Sequence, residues 1–258
     1  MGIIIKSERE IAIMRRAGRI VGTVLEELKH NLKPGMKTIE LDKMAEKMVR
    51  AMGGIPSFKG YHGFPGSLCV SVNEEIVHGI PGERVLCEGD LVSLDLGVIL
   101  DGFQGDAAIS AGVGRLSDEA AALIVATEES LKIGIVAARA GKHLGDIGAA
   151  IQNYAEGKGY GIVREYAGHG IGREMHEDPS VPNYGRTGSG ALLKKGMALA
   201  IEPMLNIGTW RTKVGGDAWT VSTGDGKLSA HYEHTIAITD GEAEVLTVAP
   251  GKASVNYA

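Results

Sequence analysis

Residues 91–110, LVSLDLGVILDGFQGDAAIS, carry two aspartates, Asp95 and Asp106, in an otherwise apolar stretch. Alternation and β-branched content predict a strand pair, with Asp101-Gly102 as a two-residue hairpin turn. If Leu100 and Phe103 close that turn, Asp95 lies opposite Ala108 and Asp106 opposite Gly97. The carboxylates are then diagonal neighbours on one face, about 7–8 Å apart at Cα. Val92, Leu94 and Leu96 take the other face. Two such aspartates repel each other, and burying either unpaired is costly. Solvent, a basic partner or a metal would each relieve this. Neither strand carries a lysine or arginine and the flanks are apolar, so metal is the preferred reading.

Further groups lie downstream. Glu202 stands in the apolar run MALAIEPMLNI (197–207), where a structural ion pair is also open to it. Pro203 after it signals an edge or a bulge. In SAHYEHTIAIT (229–239), Glu233 shares a face with His231 and Thr235, while Tyr232, His234, Ile236 and Ile238 take the other. His231 and His234 read as structural. The stretch GHGIGREMHEDP (168–179) sets His169 and His176 seven apart, with Gly168, Gly170 and Gly172 around the first. So many glycines suit neither helix nor strand, and a plain surface loop fits the isolated stretch as well as a site does. Glu177 and Asp178 read as ordinary loop residues. Asp95, Asp106, Glu202, Glu233 and His169 together offer four carboxylates and one imidazole. That set suits two carboxylate-bridged divalent ions that activate water. Hard ligands accept manganese, iron or cobalt at least as well as zinc. A structural zinc would prefer cysteine and histidine, and the chain has two cysteines.

Helices and strands must hold these groups. Ser7 and Glu10 fit a capping box ahead of a helix over 7–29, with Ile11, Met14, Ala17, Ile20, Val21, Val24 and Leu28 at helical spacing. Pro34-Gly35 breaks the chain, and a second helix spans 38–52. Ser117 opens another helix, Gly141 breaks it, and Leu144, Ile147, Ala150, Ile151 and Tyr154 mark a fourth. Shifted by 106, these five fall on Thr38, Leu41, Met44, Ala45 and Met48. Chance likeness of two helix pairs explains this; so does a duplicated fold with its site between similar halves. Strands dominate 69–113 and 197–248. Blocks of helices and strands, without a Pro/Ser-rich linker, indicate one α+β domain.

Bulk properties narrow the function. A net charge of −5 over 258 residues argues against a broad nucleic-acid-binding face. Arg15, Arg16 and Arg19 read as the solvated face of a helix. Cys69 and Cys87 are too few for a disulfide scaffold and read as free thiols. No apolar run reaches about 18 residues, so no membrane span is expected. The opening MGIIIKSERE does not read as a signal peptide, and Lys6 stands where a myristoylation start wants Ser or Thr. The expected location is the cytoplasm.

With these residues in view, the chain resembles the bacterial-type (type I) methionine aminopeptidases over essentially its whole length. The motifs are VNEEIVHGIP around His78, LDLG and DGFQGDAA around Asp95 and Asp106, GHGIGREMHEDP, IEPM around Glu202 and SAHYEHT around Glu233. The resemblance implies an α+β pita-bread (creatinase/aminopeptidase) fold. It implies a single metallo-aminopeptidase domain, 1–258, with duplicated helix-helix-strand halves, roughly 1–110 and 111–258, around a curved antiparallel sheet. Asp95, Asp106, His169, Glu202 and Glu233 become the ligands of two divalent ions (manganese, iron or cobalt, with zinc open), Asp106 and Glu233 bridging. Glu202 also becomes the proton shuttle. His176 faces the substrate carbonyl and His78 the scissile amide nitrogen. Tyr61, Phe64, Cys69, Met175 and Trp219, with His62 in the same loop, fall where the methionine side chain is bound.

The implied activity is removal of the initiator methionine from nascent chains and peptides whose second residue is small. The implied enzyme is a cytoplasmic monomer in transient contact with the ribosome, without membrane or direct nucleic-acid recognition. Neither a zinc-finger extension before Ser7 nor the large insertion of type II relatives between Glu202 and Glu233 is expected. Gln104, Met175 and Phe64 depart from the commonest pattern, where His or Tyr, Phe, and Tyr respectively are frequent. None is a ligand, and pocket shape is what they bear on. Two other readings compete. A proline-specific peptidase of the same fold would carry an extra N-terminal domain and other histidine spacing. A non-catalytic pita-bread binding module would have lost ligands.

Overall fold

The computed structural model describes residues 2–251. Four long helices run α1 (Glu8–Asn31), α2 (Thr38–Ala51), α3 (Asp118–Ala137) and α4 (Leu144–Gly157). The predicted capping box forms: the Ser7 hydroxyl accepts from the Glu10 backbone and the Glu10 carboxylate accepts from the Ser7 N–H at 2.9 Å. Ser117 caps α3 through the Ala120 N–H. The second helix of each pair opens alike. The Lys37 N–H donates to the Glu40 carboxylate and the His143 N–H to the Asp146 carboxylate, each at 2.7 Å. Lys37 and His143 also form matching isolated bridges, to Val85 and Leu192.

A nine-stranded sheet carries the site. Its main path runs Ile55–Pro56, Leu91–Leu100, Phe103–Gly112, Glu233–Ala237, Ala198–Ile201, Gly168–Gly170 and Glu177–Val181. Cys69–Val72 joins at Leu91–Leu100 and Glu244–Val245 at Glu233–Ala237; every pairing is antiparallel. Val92, Leu94, Leu96 and Val98 pack with Ile20, Val24 and Leu28 of α1 and Leu41, Ala45 and Val49 of α2. Leu199, Ile201 and Ile236 pack with Leu123 and Leu131 of α3 and Ile147 and Ile151 of α4. Each fully buried Leu, Ile or Val contributes roughly 1.5–3 kcal/mol, so these two seams hold the helices to one face. Strand alternation turns the residues between them, including Asp95 and Glu233, to the other face.

The hairpin register is as expected: Leu100↔Phe103, Gly97↔Asp106 and Asp95↔Ala108. Asp101 and Gly102 have φ of 49° and 77°, the left-handed pair that a type I′ turn requires. Two expectations change. The stretch around His169 is a strand-turn-strand rather than a loop. Its glycines serve close packing: a Cβ at Gly168 would lie 2.3 Å from the Ala200 carbonyl, and one at Gly170 2.2 Å from that of Asp178. The edge or bulge expected at Pro203 is a crossing between sheets. After Pro203 the chain pairs as Met204–Asn206 with Ser229–His231 in a separate three-stranded sheet. Tyr232 makes the matching break and donates its N–H to the Pro203 carbonyl at 3.3 Å. Glu202 and Glu233 therefore stand together at one crossing. No helix among the described residues is long and apolar enough to cross a membrane.

Candidate active site

Register brings the acidic groups together. Ala108 pairs with Asp95 on one side and Glu233 on the other. Ala200 pairs with Thr235 on one side and His169 on the other. Asp106 is locked to the second row, because its N–H donates to the Thr235 hydroxyl at 3.0 Å and its carbonyl accepts from that hydroxyl at 2.8 Å. His169 Nε2 lies 4.0 Å from Asp106 Oδ2 and 3.7 Å from Glu202 Oε1. Asp106, His169 and Glu233 each offer a ligand atom within 4.8 Å of the others. These separations are too long for hydrogen bonds. They suit ligands sharing an ion bound at about 2.0–2.2 Å from each.

The chemistry of the set also fits a divalent ion. Asp95 Oδ1, Asp106 Oδ1 and Glu233 Oε1 are buried without a hydrogen-bond partner. Such orphaned acceptors are costly. Among the described residues no lysine or arginine forms an ion pair with any of the four carboxylates; His169 alone approaches them. Burial, then repulsion from Asp106, holds the Asp95, Glu202 and Glu233 carboxyls well above the usual carboxylate range. Burial lifts Asp106 to about 7. His169 is pushed the other way, to about 4, by burial and then by His176. Its Nδ1 lies 2.9 Å from the Gly170 carbonyl, which can only accept. The ring proton therefore sits on Nδ1, and the Nε2 lone pair faces the carboxylates, as a ligand imidazole requires.

Beside this cluster opens a cavity of about 310 Å³. It is lined by all five acidic and imidazole groups above and by Tyr61, His62, Phe64, Cys69, His78, His176 and Trp219. Phe64 and Cys69 form its buried end, at 4% exposure each, and His62 and His176 its exposed rim. Phe64 meets Trp219 edge-on at 5.2 Å between ring centroids. Burial pushes the Cys69 thiol well up, so it presents a neutral apolar group. His176 Nδ1 lies 2.8 Å from the Tyr61 hydroxyl, and its ring stands 4.3 Å from that of His169. His78 holds φ of 62°, uncommon outside glycine and frequent at functional positions. Burial lowers the affinity of both His78 and His176 for a proton.

Met175 departs from expectation. It is 2% exposed, packs with Ile11, Met14, Phe103 and Ile171, and does not line the cavity. Phe58 takes that place. Its signal was an aromatic residue in the same glycine-rich stretch as Tyr61 and Phe64. Gln104 is a tie rather than a pocket residue: its Oε1 accepts from Ser57 Oγ at 2.6 Å and its Nε2 donates to the Arg173 carbonyl at 3.3 Å. Glu177 is no ordinary loop residue; its side chain is 6% exposed and pairs with Lys6. His234 is structural, bonded to the Thr247 hydroxyl at 2.8 Å, whereas neither ring nitrogen of buried His231 has a partner.

Comparison with known proteins agrees with this geometry. The model of "metallopeptidase family M24" matches residues 12–240. A methionine aminopeptidase of Clostridium acetobutylicum is 55% identical over 247 residues, 95% of this chain and 99% of that protein. The crystal structure of a methionine aminopeptidase from Thermotoga maritima superposes with a TM-score of 0.94 at 44% identity, over 96% of this chain and all of that one. A prolidase from Pyrococcus furiosus shares the fold, with a TM-score of 0.77 at 23% identity over 95% of this chain but 65% of that one.

Proposed function

The chain belongs to metallopeptidase family M24 and within it, with the pita-bread fold, to the methionine aminopeptidases, and from this premise we propose how its own residues remove an initiator methionine. The observation that carries the reading is the junction of orphaned carboxylate oxygens with a closed-ended, methionine-sized cavity. Its substrates are nascent chains and peptides that begin with Met and continue with a small residue.

Asp95, Asp106, His169, Glu202 and Glu233 would hold the metal. Four buried carboxylates carry four negative charges, which two divalent ions balance and one does not. This supports a pair, which Asp106 and Glu233, central in the cluster, would help to hold. Manganese, iron or cobalt suits the oxygen-rich set, and zinc is the further candidate. When bound, the ions supply Lewis acidity, polarising the scissile carbonyl and making water nucleophilic at neutral pH.

The chain's own groups do the rest. Glu202 accepts the proton of the attacking water and returns it to the leaving amine. The Tyr61 hydroxyl donates to His176 Nδ1, which keeps the ring proton on Nε2, available to the substrate carbonyl oxygen. His78 meets the amide nitrogen across the scissile bond. Phe58, Phe64, Cys69 and Trp219 desolvate the methionine side chain, with Tyr61 and His62 at the mouth.

The substrate supports the cellular setting: initiator methionine exists on chains at, or just released from, the ribosome. We therefore place the protein in the cytoplasm as a monomer that touches the ribosome transiently, without membrane or nucleic-acid recognition of its own. The alike-capped helix pairs support two duplicated halves, 1–110 and 111–258, of one domain. Proline-specific cleavage is disfavoured by the lower likeness to the prolidase, and a non-catalytic role by the full ligand set. The test is release of free amino acid from Met-Ala-Ser and from Xaa-Pro peptides. Methionine release without Xaa-Pro cleavage is expected; the reverse preference would refute the assignment.

A further inference from the structure

Lys6 and Glu177 form an ion pair at 2.5 Å with side chains 3% and 6% exposed. Neither is a metal ligand nor part of the cavity wall. Buried ion pairs seldom outdo an apolar pair of the same volume in stability, so stability alone is a weak reason for this one. Its surroundings give a better one. Glu177 Oε1 accepts from the Arg173 and Glu174 N–H groups at 2.9 and 3.3 Å, closing the turn that leads into His176. Glu177 Oε2 takes the Lys6 ammonium. Lys6 is itself tethered, its N–H donating to the Gly196 carbonyl at 2.7 Å and its Nζ to that of Ile4 at 3.1 Å. Gly172 wraps the pair so closely that a Cβ there would stand 2.5 Å from Glu177 Oε1 and 2.6 Å from Lys6 Cε. The buried Gln104 donates its N–H to the Gly172 carbonyl at 2.8 Å. The turn is thus built around the ion pair, and His176 is the residue next to Glu177.

We propose that Lys6 and Glu177 are positioning residues for the reaction: their buried pair sets the turn that aims His176 at the scissile carbonyl. This rests on His176 acting as hydrogen-bond donor to the substrate. Charge-assisted bonds are short and directional. Directionality matters here because a displacement of about 1 Å in a reacting group costs on the order of a hundredfold in rate.

The test is a double-mutant cycle on the full-length, metal-loaded enzyme with Met-Ala-Ser, reading kcat, KM and bound metal. Lys6→Met is expected to lower kcat on the order of tenfold or more, with KM and metal content nearly unchanged. In the His176→Ala background the same change is expected to cost less than about twofold, since the group being aimed is gone. Lys6→Arg, which keeps the charge, should recover part of kcat. Should Lys6→Met fail to fold, Glu177→Gln runs the same cycle, because its amide oxygen can still accept from Arg173 and Glu174. Equal losses in both backgrounds, an unchanged kcat in Lys6→Met, or a loss that follows metal content would overturn the positioning role. An unchanged kcat in His176→Ala alone would overturn the reading of His176, and the positioning role with it.

Discussion

In the chelated protein Asp106 should contribute less stability as pH rises from about 4 to 7, opposite to the usual behaviour of a carboxylate in acid denaturation. Burial lifts Asp106 to about 7 from an ordinary 3.8. The unfolded chain releases that proton near pH 3.9. Between the two values the metal-free folded state holds a proton at Asp106 that the unfolded state has released. The Asp106 contribution is therefore fully present below about pH 4 and is lost as pH climbs through 7. Three pH units correspond to about 4 kcal/mol as an upper bound for this one group. Asp95, Glu202 and Glu233 are shifted in the same direction. At roughly 2–4 °C per kcal/mol for a domain of this size, Asp106 alone corresponds to a fall in Tm of roughly 8–16 °C. Carboxylates held low, such as Glu10 and Asp146, lose their contribution only below their ordinary pKa. Burial, however, holds His169, His231 and His234 at about 4, 3 and 4. These rings work in the opposite direction below about pH 6.5 and must be cancelled by comparison with Asp106→Asn. A divalent ion at about 100 times its Kd returns about 2.7 kcal/mol, and more at higher pH, where its ligands are ionised. Thermal melts of the native protein and Asp106→Asn at half-unit steps from pH 4.5 to 7.5, with chelator and with manganese, measure this: the chelated native protein's Tm should fall relative to that of the variant as pH rises. A difference in Tm between the chelated native protein and chelated Asp106→Asn that stays flat or grows over that range would refute the reasoning, because the Asp106 carboxylate would then have a partner of its own.

Four substitutions extend the account. Asp106→Asn should strip bound metal, measured by elemental analysis, whereas His176→Ala should keep it and lower kcat on the order of a hundredfold. Tyr61→Phe removes the hydroxyl at His176 Nδ1; kcat for Met-Ala-Ser should drop on the order of tenfold with KM little changed. Gly97→Ala would set a Cβ 2.6 Å from Met175 Cε and 2.9 Å from Phe58 Cε1. Overpacking of about 1–3 kcal/mol should follow, seen as a lower Tm and a raised KM, with partial recovery in Gly97→Ala/Met175→Ala.

What could be read before folding was local. Asp101-Gly102 sets the hairpin register, so Asp95 and Asp106 share a face from spacing alone, and Ser7 and Glu10 announce the start of α1. Carboxylates stand out in apolar strands, and that exposed the proposed ligand set. What escaped depends on distant partners. Gly168 and Gly170 have no side chains to alternate, and the carbonyls they pack against belong to other strands. Glu177 looked like loop because Lys6 lies 171 residues away. Met175 and Phe58 are both apolar and both end against Gly97; only the folded packing decides that Phe58 faces the cavity and Met175 does not. Pro203 marked a change in the strand, but its meaning needed Tyr232 on the opposing chain.

Metal titration of the stripped enzyme tests the central claim most directly. Divalent ion is added back to chelated protein while methionine release from Met-Ala-Ser and the number of ions bound are followed together. Release should be absent without metal and should return as ions fill the Asp95, Asp106, His169, Glu202 and Glu233 cluster, to a final content of two per chain. Undiminished methionine release from fully stripped protein, or full binding of metal without any release, would contradict the account.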